Sequence, residues 1–403
     1  MRGIVIVGAG QAGASLAAKL RVLGHAGPIT MIGEEPVPPY QRPPLSKAYL
    51  LGEMEPERLY LRAPSFWEEQ AVTLRLGTRA EAIDTATRTV QLAGGEAVPY
   101  DDLALTTGSR PRRLPAAIGG DLGRVFTVRT LADVNRMAPE FRAGARALIV
   151  GGGYIGLEAA AVAAKLGLDV TLIEAAPRIL QRVAAPETSD YFRKLHAAHG
   201  VTIREGTGLD RLAGDGNVSA AILADGTEIA VDLVIVGIGI EPDTGLAEAA
   251  GIAIENGIRT DAFGRTSAPH VWAAGDCASF PHDGGRIRLE SVGNAIDQAE
   301  NVAANILGVE TPYAAKPWFW SDQYDVKLQI AGLNTGYDRI VARRGDSGAV
   351  SFWYYRGDRL LALDVMNDAR AYMIGKRLIE AGKSPDPALI ADATADLKPL
   401  LRP

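Results

Sequence analysis

Two glycine-rich segments have the residue types and the spacing that bind the phosphates of a dinucleotide. They are Gly8-x-Gly10-x-x-Gly13 and Gly151-x-Gly153-x-x-Gly156. In such a turn the first glycine permits a tight bend, the second lets a pyrophosphate approach the backbone, and the third lets a helix pack closely on a strand. An acidic residue follows each turn, at Glu34 and Glu174. Its carboxylate can accept hydrogen bonds from a ribose.

The segments around each turn predict the elements that would position it. The apolar runs Ile4–Val7 and Ala147–Val150 are typical of buried parallel strands. Residues 14–23 and 157–166 predict a helix after each turn, and a second strand then leads to the acidic residue. Because strand, turn, helix, strand and acid agree twice, we expect two dinucleotides. A resident flavin and a visiting nicotinamide coenzyme are the candidate pair, which the rest of the chain must decide.

Composition narrows the class of protein further. Apolar residues make up 47% and charged residues 22% of the 403 positions, which is typical of a globular chain of two or three domains. A net charge of −6 argues against broad nucleic-acid binding. The apolar run in "MRGIVIVG" is too short for a signal peptide, and no run approaches the roughly 18 apolar residues of a membrane span. We therefore expect a soluble, cytoplasmic protein that binds neither nucleic acid nor membrane.

The pattern along the chain predicts an α/β fold with an inserted domain. Residues 217–230 predict a hairpin that turns at Asp225-Gly226. Alternating runs in the last part of the chain predict antiparallel strands, followed by a helix. We expect two Rossmann-like domains of the glutathione-reductase-like type and a C-terminal α+β domain. The first nucleotide domain would span residues 1–109 and 242–319, the second 110–241, and the C-terminal domain 320–403.

Several longer motifs identify a family that the sequence resembles. They are "PPYQRPPLSKAYL" (38–50), "LYLR" (59–62), "TTGSRPR" (106–112), "VRTLAD" (128–133), "AAGDCASF" (273–280), "ESVGNAIDQA" (290–299) and "PWFWSDQYDVKLQIAG" (317–332). With both glycine turns, the sequence resembles the NADH-dependent, FAD-containing ferredoxin reductases that serve bacterial oxygenases. The resemblance covers essentially the whole chain.

The resemblance implies a role for particular residues. The first domain would bind FAD through Gly8, Gly10, Gly13, Ala12, Glu34, Ala80, Arg129, Asp276 and Val292. Within this set, Ala12 and Glu34 would lie at the adenosine end, Arg129 on the phosphate or adenine side, and Asp276 at the ribityl chain. Lys47 would lie near the isoalloxazine ring, and Trp320 would cover the flavin edge. The second domain would hold NADH through Gly151, Gly153, Ile155, Gly156 and Glu174, with Glu158 and Glu290 beside the nicotinamide. No metal site is implied.

Two positions depart from the usual pattern of the family. "TTG" at 106–108 replaces a common "ATG", and Gly293 stands where proline is frequent. Both are positions of backbone geometry, so they affect the local shape of a loop rather than the chemistry.

Coenzyme preference and the electron acceptor follow from charge and from cysteine content. Glu174 should favour NADH because its carboxylate repels the 2′-phosphate of NADPH, although Arg178 lies nearby in sequence. Cys277 is the only cysteine, so a redox-active pair within the chain is excluded. This leaves outer-sphere acceptors or dioxygen, of which a two-iron two-sulfur ferredoxin fits best. The resemblance implies that this ferredoxin feeds a cytochrome monooxygenase or a ring-hydroxylating dioxygenase. Arg42, Lys47 and Arg62 are candidates for docking it, or else form a solvated face.

Other interpretations remain open at this stage. A rubredoxin reductase or diaphorase would share the same motifs, and so would a non-enzymatic flavoprotein that senses NADH. We expect a monomer, since nothing in the sequence requires an oligomer. We also expect Trp318 to pack in the core, Cys277 to be a packing residue, and His196 and His199 to lie on a polar helix face rather than to bind metal.

Overall fold

A parallel sheet that ends at the first glycine turn lies at the centre of the first of two units. The structure is a computed structural model that describes residues 2–345 and 348–402. The first unit comprises residues 2–41, 55–110 and 240–317, and the second comprises residues 42–54, 111–239 and 318–402. The division into three domains stays a prediction.

The strands and helices of the first unit follow in chain order. They are β1 (Ile4–Val7), α1 (Gln11–Val22), β2 (Ile29–Ile32), α2 (Pro64–Glu69), β3 (Val72–Arg75), β4 (Ala80–Asp84), β5 (Thr89–Leu92), β6 (Ala97–Pro99), β7 (Asp102–Leu105), β8 (Ser109–Pro111), and later in the chain β17 (Ile240–Pro242), α6 (Gly245–Ala249), β18 (Ile258–Arg259), β19 (Val271–Ala273), β20 (Ala278–His282), β21 (Gly285–Ile287) and α7 (Val292–Ile306).

The central sheet of the first unit has the strand order of half a Rossmann fold. Strands β3, β2, β1, β7 and β19 lie side by side in that order, and all are parallel. Every residue of β1 and β7 is buried. Alternate residues of β1 enter two different core clusters, one on each face of the sheet. Burial of both faces explains why these strands are continuous apolar runs.

The second unit contains the remaining strands and helices. They are β9 (Val125–Phe126), α3 (Leu131–Met137), β10 (Arg146–Val150), α4 (Tyr154–Lys165), β11 (Asp169–Glu174), α5 (Pro186–Ala198), β12 (Thr202–Glu205), β13 (Leu209–Asp215), β14 (Asn217–Leu223), β15 (Glu228–Ala230), β16 (Leu233–Val236), β22 (Trp318–Gln323), β23 (Val326–Gly332), β24 (Arg339–Arg344), β25 (Val350–Arg356), β26 (Arg359–Met366), α8 (Ala369–Glu380) and α9 (Pro387–Ala391).

A second parallel sheet lies behind the second glycine turn. Its strands lie in the order β12, β11, β10, β16 and β9. The predicted hairpin is confirmed: β14 and β15 pair antiparallel, and the amide of Thr227 donates to the side chain of Asp225 in the turn. Helices α1 and α4 begin inside their glycine motifs, earlier than the sequence predicts, because the last residues of each motif already form the first helical turn.

The last part of the chain forms an antiparallel sheet in the order β22, β23, β26, β25 and β24. Helix α8 packs on β26 and β23. β25 is buried from Val350 to Tyr355 rather than on alternate residues. Trp353 and Tyr355 face the cluster under α8, whereas Tyr354 packs with Ala185 on the other face. The α/β class with two Rossmann-like sheets and a C-terminal α+β region is therefore confirmed.

Membrane insertion has no candidate element in the part of the chain that the structure describes. None of the helices in that part combines the length with the apolar composition that a membrane span needs.

Candidate functional site

The first glycine turn connects β1 to α1 and leaves open space at its middle glycine. Gly8 has a φ of 116°, and a Cβ there would lie 2.2 Å from the carbonyl oxygen of Thr106. A Cβ on Gly13 would lie 2.0 Å from the carbonyl oxygen of Gly8. A Cβ on Gly10 would meet no described atom within 4 Å. Two glycines are therefore required by the protein itself, whereas the third borders a space that a ligand can fill.

The second turn, between β10 and α4, repeats this arrangement. Gly151 has a φ of 106°, and Cβ atoms on Gly151 and Gly156 would lie 2.4 Å and 2.1 Å from backbone oxygens. Gly153 borders open space, as Gly10 does in the first turn. Ile155, in the first turn of α4, is 42% exposed. This exposed apolar side chain sits at the N-terminus of the helix that a coenzyme would approach.

Both turns fit the pyrophosphate of a dinucleotide. The residues that precede α1 and α4 are Gly10 and Gly153, and neither helix start receives a hydrogen bond from a capping side chain. Neither helix has an acidic residue in its first turn. The amide groups and the positive end of the helix dipole therefore face open space, as anion binding requires.

Glu174, the last residue of β11, lies directly over the second turn. Its Oε2 accepts the amide hydrogen of Gly152 at 2.7 Å, and its Oε1 accepts that of Ala176 at 2.7 Å. These bonds orient the carboxylate while leaving each oxygen able to accept from a ribose hydroxyl. Glu34 is exposed and follows the end of β2.

Arg178, the cation closest in sequence to Glu174, is held by other partners. Its Nη1 donates to Ser189 Oγ at 2.6 Å, and its Nη2 donates to the carbonyl of Gln181 at 3.3 Å. A 2′-phosphate would have to compete with these two bonds for the guanidinium.

Lys47 and Glu158 form an ion pair within the second unit. The 3₁₀ helix Pro43–Ser46 packs against α4 and ends beside Lys47. The Nζ atom of Lys47 lies 2.7 Å from Glu158 Oε2, which also accepts from Ser46 Oγ at 2.6 Å. Ser321 Oγ donates to Glu158 Oε1 at 2.7 Å. Glu158 is only 3% exposed, so its charge depends on these three donors.

The ion pair changes what Lys47 can do. The Lys47 side chain is 17% exposed, and its charge lies against a buried carboxylate. The ion pair makes Lys47 a weaker candidate for docking a partner, because the ammonium is directed to Glu158, but its role in docking stays a prediction. Any effect of its positive charge on a nearby group is partly offset by the carboxylate.

In the first unit, Arg288 connects two of the predicted residues. Its Nη1 donates to the carbonyl of Asp276 at 3.1 Å, and its Nη2 lies 2.6 Å from Glu290 Oε1. The Asp276 carboxylate accepts from Ser109 Oγ at 2.9 Å. Asp276 is half-buried and lies just beyond the carboxyl end of β19. In open α/β sheets, ligands bind at the carboxyl ends of the strands.

The other predicted cofactor residues are placed as follows. Ala12 is buried in the first turn of α1, half-buried Ala80 begins β4, and Val292 begins α7. Arg129 precedes Thr130, whose side chain caps α3. The backbone carbonyl of Arg129 accepts a hydrogen bond from Arg42 Nη1 at 2.7 Å. The cofactor contacts of these residues stay predictions.

The indole rings of Trp318 and Trp320 stack in β22, with centroids 5.5 Å apart and an interplanar angle of 21°. Both are only half-buried. The expectation that Trp318 packs in the core is therefore wrong: it shares a face of the strand with Trp320, because residues two apart in a strand point the same way.

The remaining candidates are structural. His196 is buried, and burial lowers its pKa to about 4. Cys277 is buried, and burial raises the pKa of its thiol, which disfavours the reactive thiolate. Within residues 2–345 and 348–402, no group of three or more His, Cys, Asp or Glu side chains could hold a metal ion.

Sequence reasoning missed Ser46, Ser321 and Arg288. The first two stand in quoted motifs, "PPLSK" and "WSDQY", but nothing in their spacing indicates that both donate to Glu158. Arg288 lies outside the quoted motifs, and only the fold brings it into contact with Asp276 and Glu290.

Comparison with known proteins agrees with this geometry. Residues 2–299 match the family model described as pyridine nucleotide-disulphide oxidoreductase, and residues 318–401 match the one described as reductase C-terminal. A ferredoxin–NAD(P)(+) reductase from a Sphingomonas species is 47% identical, over 99% of this chain and 98% of that protein. The ferredoxin–NAD(+) reductase component of the p-cumate 2,3-dioxygenase system of Pseudomonas putida is 39% identical, over 98% and 97%.

A solved structure is similar throughout. The crystal structure of the covalent putidaredoxin reductase–putidaredoxin complex matches with a TM-score of 0.95 and 41% identity, covering 99% of this chain and 98% of that one.

The chain belongs to the pyridine nucleotide-disulphide oxidoreductase family and, within it, to the ferredoxin–NAD(P)(+) reductases. It is a flavoprotein oxidoreductase whose cofactors are FAD and NAD(H).

Proposed function

We propose that this reductase passes electrons from NADH, through FAD, to a two-iron two-sulfur ferredoxin that feeds an oxygenase, either a cytochrome monooxygenase or a ring-hydroxylating dioxygenase. The observation that carries the proposal is the combination of two dinucleotide turns with a single, buried cysteine. Two nucleotides can exchange electrons, but the chain has no second thiol to receive them. The electrons therefore leave to an external acceptor.

The protein's part in this reaction is to bind and orient. FAD supplies the chemistry, since a flavin accepts two electrons as hydride and releases them one at a time. The Gly8–Gly13 turn would hold its pyrophosphate, with Glu34 at the adenosine ribose and Asp276 at the ribityl hydroxyls. The Gly151–Gly156 turn would hold NADH. Glu158 and Glu290 would lie beside the nicotinamide, and Trp320 would exclude water at the flavin edge.

The Lys47–Glu158 pair would give this site a fixed dipole rather than an isolated charge. The ammonium is held by Glu158 and by the carbonyl of Pro43 at 3.1 Å. A positioned dipole stabilises charge that develops during hydride transfer without having to reorganise.

We further propose that NADH is preferred over NADPH. Support comes from Glu174, which faces the coenzyme turn, and from Arg178, which is engaged by Ser189 and Gln181. A ribose hydroxyl can donate to the carboxylate, whereas a 2′-phosphate would be repelled by it.

The identity of the acceptor is supported by the similar proteins. One is a reductase component of a dioxygenase system, and another was crystallised in a covalent complex with putidaredoxin. Ferredoxins are typically acidic, so docking needs cations. Arg62 is exposed, with its guanidinium 5.6 Å from the Phe66 ring centroid, and is the most exposed of the three candidates. Arg42 is already engaged by Arg129. We also propose that the protein acts as a monomer in the cytoplasm.

The test is NADH-driven reduction of cytochrome c by the purified, flavin-loaded protein. It compares no carrier, a two-iron two-sulfur ferredoxin and a rubredoxin, each at low and high salt. We expect a large rate that requires the ferredoxin and falls with salt, because redox docking is small and electrostatic. An equal rate with rubredoxin would favour the rubredoxin reductase alternative. A long-lived NADH complex with no effect of either carrier would favour the sensing flavoprotein.

Arg62→Glu refines this test. It should lower the ferredoxin-dependent rate about tenfold at low salt and much less at high salt, while leaving NADH-driven flavin bleaching unchanged. Arg211→Glu, an equally drastic reversal at an exposed position of β13, is the control.

A further inference from the structure

A continuous series of hydrogen bonds runs from Glu158 to the turn between β22 and β23. Ser321 Oγ contacts Glu158 Oε1 at 2.7 Å, and Gln323 Nε2 contacts Ser321 Oγ at 3.1 Å. Gln323 Oε1 lies 2.8 Å from His196 Nε2, and the Tyr324 hydroxyl lies 3.1 Å from His196 Nδ1. We call these five residues the Glu158 network. All of them lie in the second unit.

The donors and acceptors of the network can be arranged in only one way when Glu158 is ionised. A carboxylate only accepts, so the Ser321 hydroxyl must donate to it. Ser321 Oγ then accepts from the amide nitrogen of Gln323, which turns the amide oxygen to His196. The His196 ring must carry its proton on Nε2, and its Nδ1 must accept from Tyr324. Every bond points towards Glu158.

Burial makes this arrangement costly to break. Ser321 and His196 are fully buried, and Gln323 is 1% exposed. An unsatisfied polar group at such depth costs about 1–3 kcal/mol. Burial also lowers the pKa of His196, so the ring is neutral at pH 7, and raises the pKa of Tyr324, so its hydroxyl keeps its proton. Both protonation states are those that the network needs.

The outer end of the network is held in a conformation that tyrosine rarely adopts. Tyr324 has a φ of 56°, in the left-handed region that costs a residue with a side chain about 1 kcal/mol. Its ring stacks on His199, with centroids 3.6 Å apart and an angle of 11°. The stacking and the bond to His196 offset the backbone cost and place the hydroxyl at Nδ1.

We propose that Gln323 and His196 are positioning residues for the Lys47–Glu158 pair. They commit the Ser321 hydroxyl to Glu158 Oε1, which leaves Oε2 to Lys47 and Ser46 and fixes the direction of the pair. The inference rests on the proposed function, in which Glu158 lies beside the nicotinamide. It adds that His196 of α5 and Gln323 of β22, both buried, set the orientation of that carboxylate.

The first test replaces His196 and measures the first-order bleaching of the flavin by saturating NADH in the loaded enzyme. His196→Leu removes the donor to Gln323 and should slow bleaching about fivefold, with the Kd for NADH changed less than about twofold. His196→Gln keeps an N–H at the Nε2 position and should retain the wild-type rate. His199→Gln is the control, since His199 stacks on the same ring but lies outside the network.

The second test measures which ring nitrogen of His196 carries the proton. Nitrogen-15 NMR of the flavin-loaded protein, labelled at histidine, should show His196 as the neutral tautomer with its proton on Nε2. Tyr324→Phe keeps the stacked ring and removes only the hydroxyl, so His196 should keep its proton on Nε2, because Gln323 Oε1 still requires a donor there. This variant changes a half-buried turn residue and keeps the test decisive even where His196→Leu fails to fold.

Two results would overturn the inference: a wild-type His196 with its proton on Nδ1, or wild-type bleaching rates in a folded His196→Leu. Failure of NADH to bleach the wild-type flavin would instead contradict the proposed function and, with it, the role of Glu158. The two failures are therefore distinguishable.

Discussion

The Nζ atom of Lys47 lies 2.7 Å from Oε2 of Glu158, although 3₁₀ helix Pro43–Ser46 and helix α4 are separated by more than a hundred residues in sequence. Two residues that the resemblance predicts near the flavin and the nicotinamide are thus partners of each other. Glu158 is buried, so the pair is held by mutual charge and by hydroxyl donors rather than by water.

The pair should therefore be strongly coupled in stability. Lys47→Met leaves a buried carboxylate without its cation and should lower the free energy of unfolding by about 3 kcal/mol. Adding Glu158→Gln removes the buried charge and should restore most of that loss. Urea unfolding of the four members of this double-mutant cycle measures the coupling. Additive effects would contradict the pairing.

The glycine turns give a second prediction, which separates folding from cofactor binding. Gly10→Ala adds a methyl group where no described atom lies within 4 Å, so the apoprotein should fold normally but bind FAD at least about tenfold more weakly. Gly13→Ala places a Cβ 2.0 Å from a backbone oxygen and should destabilise the apoprotein itself by about 2 kcal/mol. Flavin fluorescence titration and urea unfolding give the two quantities. Equal FAD affinity in Gly10→Ala and the wild type would show that the pyrophosphate lies elsewhere.

How far the sequence predicts this site depends on whether a feature is local. The glycine turns and their acids follow from a few adjacent residues, and the structure has them where expected. The Lys47–Glu158 contact depends on how a 3₁₀ helix packs against α4, and no spacing encodes that. Likewise, β25 lacks the alternation of a half-exposed strand because α8 covers one face and the segment before α5 covers the other.

Coenzyme choice gives a third prediction. Glu174→Ala should lower kcat/KM for NADH by about tenfold, because a hydrogen bond to a charged acceptor contributes roughly 1.5–3 kcal/mol, and should narrow the preference over NADPH. Glu187→Gln, an exposed acid in the first turn of α5, is the matched control and should change neither value. An unchanged NADH to NADPH ratio in Glu174→Ala would remove this residue from the ribose site.

Two buried groups of the second unit should give opposite pH dependences of stability. Burial lowers the pKa of His196 to about 4, so between about pH 4 and 6.5 the unfolded chain binds more protons and stability rises with pH. Burial raises the pKa of Asp364 to about 6, against the opposing effect of hydrogen bonds from Tyr354 and Thr188. Between about pH 4 and 6 the folded chain therefore binds more protons at Asp364, and stability falls as pH rises.

Because each group accounts for about 3 kcal/mol across its range, the two contributions nearly cancel in the wild type. Each single variant should expose the other group. Relative to the wild type, His196→Gln should lose stability as pH rises from 4 to 6, whereas Asp364→Asn should gain it over the same range. Asparagine is isosteric with aspartate, and its side-chain oxygen can still accept hydrogen bonds from Tyr354 and Thr188. Urea unfolding at half-unit pH steps measures both slopes, and slopes of the same sign would show that one of the two groups does not titrate as burial requires.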